Sequence, residues 1–474
     1  MPDRLILRLT QFAESTDHYR VELALEGAES RQTAMTRFAF VLTEQDRSDL
    51  RWYLEDYLQD PHEPAPTIAA RIEQRMIEIG AELFQKVFEA NRDVMLLRGR
   101  VFEHLAETRV EIVTEVRDAT AIPWELLHDP QTDTPLALAA SSFVRTVSNP
   151  VKPPKLPSAA DKIRILLVIC RPGGPSDVPF RSVASRLIKG LNKEARAAFD
   201  LHVLRPPTFE QLAKVLRDAK ARGAPYHVVH FDGHGVYGEY QRVSGKFDRH
   251  IMRDSRSGKH GYLAFENQAR PDNFEPIDGP ALGKLLVETG VPVLVLNACR
   301  SAHAEHTTDA QVDTESATPI PVTDDASNPH QQVRAFGSLA QEVMDAGAAG
   351  VVAMRYNVYV VTAAQFVAEL YATLTQGLSL GEAVSRGRKN LADQPLREVV
   401  AEPLPLSDWP VPVVYEAKPV KLFPKPKRSQ QPRIKLNPAA GTPLAESGVA
   451  NVPPEPDAGF WGRDETLLAL DRAF

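Results

Sequence analysis

Two short stretches of this chain carry residues whose types and spacing could do nucleophilic chemistry. In VLVLNACRSA, Val293 to Ala302, an apolar run ends in a small loop that displays Cys299. In YHVVHFDGHG, Tyr226 to Gly235, a second apolar run ends in Asp232, Gly233, His234 and Gly235. Two parallel strands ending side by side would bring His234 to Cys299. An imidazole there can deprotonate the thiol or stabilise the thiolate, which is the reactive form. Gly233 permits a sharp turn, and Gly235 leaves its backbone N–H able to approach a substrate carbonyl. The N–H groups of Gly235 and Cys299 are therefore the candidate oxyanion donors.

The elements that must position this pair are legible from pattern. KIRILLVICRPGG, Lys162 to Gly174, is near-continuously apolar, as a parallel strand covered on both faces is. Tyr226 to Phe231, Val291 to Leu296 and Ala349 to Met354 supply three more strands, and Arg186 to Leu191 and Phe209 to Ala221 supply helices between them. Strands alternating with helices predict an α/β fold with a mostly parallel sheet and helices on both faces, in which ligands bind beyond the carboxyl ends of the strands. Both His234 and Cys299 fall there. Cys170, with no glycine-flanked histidine beside it, reads as an inert core thiol. His227 and His230 fall on opposite faces of a period-two strand, which argues against a metal site. Trp124 reads as a buried structural residue, and Trp52 and Tyr53 read as core or interface residues.

The first hundred residues read as a small N-terminal α+β unit. RLILRLTQF, HYRVELALEG and TRFAFVLT alternate as half-buried strands do. A helix expected from about Thr67 to Ala90 places Ile72, Met76, Ile79, Leu83 and Phe84 on one face.

At these residues the chain resembles the CHAT peptidases, which belong with the caspase-like cysteine proteases, separase and metacaspases. HFDGHG looks like the family's His-Gly turn and LNACRS like its Ala-Cys strand end. IPWELLHD, Ile122 to Asp129, followed by PLAL and FVRTV, resembles the segment that opens these domains. Phe336 to Asp393 resembles the closing strand and helices. The resemblance implies a caspase-like cysteine endopeptidase with a His234–Cys299 dyad and a protein or peptide substrate. Metacaspases place an Asp two residues before the nucleophile to bind a basic residue, and here that position is Asn297. Asp232 could replace that charge or orient the loop; Arg300 and Arg355 could flank the cleft and favour an acidic or polar residue. Residues 302–332, poor in large apolar side chains, form a candidate activation loop by the same resemblance.

The domain boundaries that follow are 1–105 for the N-terminal unit, 106–422 for the CHAT domain and 423–458 for a Pro-rich linker. FWGRDETLLALDRAF, in 459–474, resembles the entry to a STAND-class signalling NTPase. No G-x-x-x-x-G-K-[ST] is present, so no cofactor is expected in this part and NTP is expected for a downstream module. The resemblance further implies activation by that module through self-association, in bacterial immunity or regulated cell death. A net charge of -7 and 25% charged residues require neither nucleic acid nor membrane as partner. Two cysteines fit a reducing, cytoplasmic setting. Two other readings remain open: a non-catalytic assembly module on the same fold, and a different cysteine-dependent transfer or deamidation.

Overall fold

The computed structural model describes residues 5–15, 17–27, 31–114, 122–147, 162–173, 198–238, 260–297, 331–356, 358–399, 402–422 and 434–437. The alternating opening segments form β1 (Ile6–Ala13), β2 (His18–Glu26) and β3 (Arg31–Ala39), paired antiparallel in chain order. Helices Glu44–Glu55, Ala65–Phe88 and Arg92–Phe102 follow. Thr43 and Asp46 start the first with a capping box, which satisfies backbone donors that a helix end leaves open. The second buries the stripe of Ile72, Met76, Ile79, Leu83 and Phe84 expected from its spacing. Gly80 on this helix is a point of close approach: a Cβ there would sit 2.0 Å from the carbonyl oxygen of Leu126.

β4 (Arg109–Thr114) pairs in parallel with β1, so the N-terminal strands extend one continuous sheet. Next come a short hairpin of β5 (His128–Asp129) and β6 (Thr134–Pro135), and then β7 (Ser142–Thr146). The central strands are β8 (Ile163–Ile169), β9 (Phe199–Leu204) and β10 (Val228–Asp232). β11 (Gly235–Gly238), β12 (His260–Glu266) and β13 (Phe274–Asp278) form a separate three-stranded sheet. β14 (Val293–Asn297) and β15 (Gly350–Met354) return to the large sheet. A second small hairpin, β16 (Leu396–Arg397) with β17 (Leu404–Pro405), precedes β18 (Pro412–Glu416). β19 (Ile434–Asn437) lies within the stretch read from sequence as a linker, and it pairs in parallel with β9 at the outer edge.

The large sheet has twelve strands in the order β19-β9-β8-β10-β14-β15-β18-β7-β4-β1-β2-β3. All neighbours are parallel except β15 with β18, β1 with β2 and β2 with β3. The fold is thus the expected α/β class with a mostly parallel sheet.

Alternation along the central strands builds two cores, one per face. Ile163, Ile165, Leu167, Val293 and Val295 join Phe366, Leu370, Tyr371 and Val384 of helices Val360–Thr375 and Leu380–Asp393. Leu166, Val168, Leu294 and Leu296 join Leu212, Leu285, Leu339 and Val343 of helices Phe209–Ala221, Gly279–Thr289 and Gln331–Asp345. Each apolar strand residue named here is buried whichever way it points, which is why these segments read as near-continuous apolar runs. Among the described residues, no helix is long and apolar enough to cross a membrane.

Candidate active site

β10 and β14 are parallel neighbours whose last residues, Asp232 and Asn297, are directly paired. His234 lies two residues beyond the first and Cys299 two residues beyond the second. Both catalytic candidates therefore follow strand ends at one level of the sheet. Cys299 and Arg300 lie outside the described residues, as do 302–330 of the candidate activation loop and the whole of 459–474.

His234 is half-buried, and its carbonyl accepts a 3.0 Å hydrogen bond from the Ala264 N–H on β12. Because residues 234 and 264 form a hydrogen-bonded pair, the next pair, Gly235 with Leu263, is of the open kind. The Gly235 N–H then points away from this ladder, toward whatever occupies the space beside the turn. Gly233 donates its N–H to the Asn297 carbonyl at 3.2 Å, which ties the histidine turn to the end of β14. A Cβ on Gly233 would meet the Phe231 ring at 2.9 Å and the Cys170 carbonyl oxygen at 3.2 Å, so the turn needs glycine.

Asp232 and Asn297 are buried, and the amide Nδ2 of Asn297 donates to Asp232 Oδ2 at 3.2 Å. Asp232 also pairs with the Arg171 guanidinium, which donates to the Asp232 and Cys170 carbonyl oxygens at 3.0 and 2.9 Å. Among the described residues the Asp232 carboxylate thus faces Asn297 and Arg171, while Asn297 Oδ1 is buried with no hydrogen-bond partner. Arg355 is almost fully buried, with Nη1 3.5 Å from Glu125. Glu125 in turn makes a two-point ion pair with Arg145 at 2.9 and 2.7 Å. The Trp124 indole N–H donates to Gln11 Oε1 at 3.1 Å inside the core.

The other histidines are held apart. His230 shares a 3.0 Å hydrogen bond between Nδ1 and the Tyr371 hydroxyl, and burial lowers its pKa to about 4. His227 accepts from the Arg164 N–H at 2.9 Å, and burial together with the Arg164 charge lowers its pKa to about 4 as well. Both rings stay neutral near pH 7. Among the described residues no group of three or more His, Cys, Asp or Glu side chains could hold a metal ion. Cys170 is fully buried, its thiol donates to the Pro207 carbonyl at 3.3 Å, and burial pushes its pKa well above the usual thiol value. Arg171 and Glu266 were not legible as site residues, because they meet Asp232 and the β8 end only through the fold; the one signal in the sequence is an arginine directly after an apolar strand.

A cleft of about 540 Å³, lined by Met95, Arg98, Phe102, Asp129 and Thr132, opens elsewhere, beside helix Arg92–Phe102. Arg98 there already bridges Glu89 at 2.7 Å and Asp129 at 3.3 Å.

No curated protein matches this chain. Among solved structures, it is similar to separase in the Saccharomyces cerevisiae separase-securin complex at 2.6 Å, with 12% identity and a TM-score of 0.39 over 91% of this chain and 30% of that one. A second structure of the same complex, at 3.0 Å, gives 12% identity and a TM-score of 0.35 over 87% of this chain and 30% of that one. The chain thus spans about a third of the length of the separase chains it matches. Residues 78–433 match the CHAT domain, well over half of the sequence, and the chain belongs to that family, as its His-Gly turn and Ala-Cys strand end suggest.

Proposed function

We propose that the chain is a cysteine endopeptidase in which Cys299 is the nucleophile and His234 its acid–base partner. The observation that supports this reading is the direct pairing of Asp232 with Asn297, the last residues of adjacent parallel strands, since His234 and Cys299 each follow two residues later in the sequence. Neighbouring strands lie about 4.8 Å apart, a spacing that one imidazole can bridge. In the proposed reaction the Cys299 thiolate attacks the scissile carbonyl carbon, and the Gly235 and Cys299 N–H groups hold the resulting oxyanion. His234, protonated in forming the thiolate, passes that proton to the leaving amine as the C–N bond breaks. A water then loses a proton to His234 and hydrolyses the thioester, returning the free thiol. Activation by a downstream NTPase and sensor module, in bacterial immunity or regulated cell death, belongs to the same proposal and rests on resemblance.

The test is a panel of peptide-based electrophiles that label active cysteines, applied to the wild type, Cys299→Ala and His234→Ala. Labelling that requires both residues is expected, and the histidine variant should lose about 10²–10⁴ in rate. Equal cellular effects of the wild type and Cys299→Ala would instead identify a non-catalytic assembly module.

A further inference from the structure

We propose that Arg171 is the positioning residue of this site, clamping the His234 turn to the strand end that leads to Cys299. The proposal rests on the peptidase reading above and deepens it.

The guanidinium reaches three things at once. It pairs with the Asp232 carboxylate, and one nitrogen donates to both the Asp232 and the Cys170 carbonyl oxygens. The Arg171 backbone N–H donates to Glu266 Oε1 at 2.8 Å. Glu266 lies on β12, two residues beyond Ala264, whose N–H holds the His234 carbonyl. On the far side, Asp232 accepts from Asn297, and the Asn297 carbonyl accepts from Gly233. The Arg171 side chain therefore ties the ends of β8 and β10 together; its backbone N–H reaches the small sheet through Glu266, and the Asp232 carboxylate it holds carries the connection on to Asn297 at the end of β14. Arg171, Asp232, Asn297 and Glu266 are all at least nine-tenths buried, so the contacts are shielded from water and hold one geometry.

A planar guanidinium with donors fixed in a fork suits this task, and a lysine could not reach the carboxylate and both carbonyls together. It follows that Asp232 is internally neutralised. It is committed to the clamp and does not select a basic substrate residue, which reassigns a position first read as a specificity candidate.

The variants that decide are Arg171→Met, Asp232→Asn and the double variant, with Arg171→Lys as the conservative exchange. The double variant removes both charges, so no buried charge is stranded and folding is preserved. Displacement of a reacting group by about 1 Å costs about 10²-fold in rate. Arg171→Met and the double variant should each lose about that factor in kcat on every peptide, with KM unchanged, and Arg171→Lys should fall between them and the wild type. A double variant with wild-type kcat overturns the proposal, as does an Asp232→Asn variant that changes residue preference while keeping kcat. If the wild type cleaves no peptide even within the activated, full-length protein, the peptidase reading fails separately. The clamp is then judged on the thiol, by alkylation with iodoacetamide below the ordinary thiol pKa of about 8.5. Cys170 is buried, so the reagent reports Cys299. Slowing by Arg171→Met and by the double variant, matching that of His234→Ala, supports the clamp; rates equal to wild type overturn it.

Discussion

Glu125, in the segment that resembles the opening of the family's domain, should act as a buried counter-charge whose loss is felt across the whole fold. Its side chain is 1% exposed and that of Arg145 4% exposed. Burial alone would push the Glu125 carboxyl up, but the ion pair with Arg145, aided by the charges of Arg355 and Arg388, overcomes it and holds the pKa at about 2, against an ordinary 4.5. A folded-state value below the unfolded one means that the unfolded chain binds more protons at intermediate pH. The stabilisation is therefore fully present above pH 4.5 and is lost as pH falls through about 2. At about 1.36 kcal/mol per pH unit, the interval amounts to roughly 3 kcal/mol. Removing one partner of a buried pair costs about 3–5 kcal/mol by an independent route, because the remaining charge is stranded. Glu125→Gln should thus lower the urea midpoint at pH 7 by the equivalent of about 3 kcal/mol with an unchanged slope. It should also flatten the part of the acid-stability curve between pH 4.5 and 2. The apolar double variant Glu125→Leu with Arg145→Met should recover part of the loss, with Arg355 still deprived of its carboxylate. A Glu125→Gln variant within about 1 kcal/mol of wild type, the range of an exposed ion pair, would refute the reasoning.

Two further substitutions probe the local devices of the fold. Gly80→Ala places a methyl 2.0 Å from the Leu126 carbonyl oxygen, and overpacking of this kind should cost about 1–3 kcal/mol or more in a denaturant titration. Ser379→Ala removes a capping box in which the Ser379 side chain and Glu382 satisfy each other's backbone donors, and should cost about 1 kcal/mol by the same measurement.

Several features were legible because they depend on local order along the chain. The apolar runs at Ile163–Ile169, Val228–Asp232 and Val293–Asn297 announced strands covered on both faces, and those strands form the parallel centre of the sheet. The spacing of Ile72, Met76, Ile79, Leu83 and Phe84 announced a buried helical stripe, and all five are buried. The glycines around His234 announced a tight turn, and the contacts of Gly233 supply the reason. Periodicity and turn chemistry act over a few residues, so a single sequence carries them.

What the sequence left open is which distant groups meet. β1 alternates as any half-buried strand does, and nothing in that pattern says that it joins β4 to continue the main sheet. Ile434–Asn437 sits in a Pro-rich, charged stretch, yet sheet-edge hydrogen bonding recruits it beside β9. Asp232 reads as a charge beside a histidine, open to a substrate role, until the fold brings in Arg171 from 61 residues away. Arg355 reads as a cleft residue, and only the fold adds that Glu125, far upstream, comes within 3.5 Å of it. The sequence by itself determined the strands and the turn, and it named His234 and Cys299 as the candidates for the proposed chemistry. The tertiary structure decided which charges are neutralised, because a buried charge must find its partner across the sheet, and chain distance does not constrain that choice.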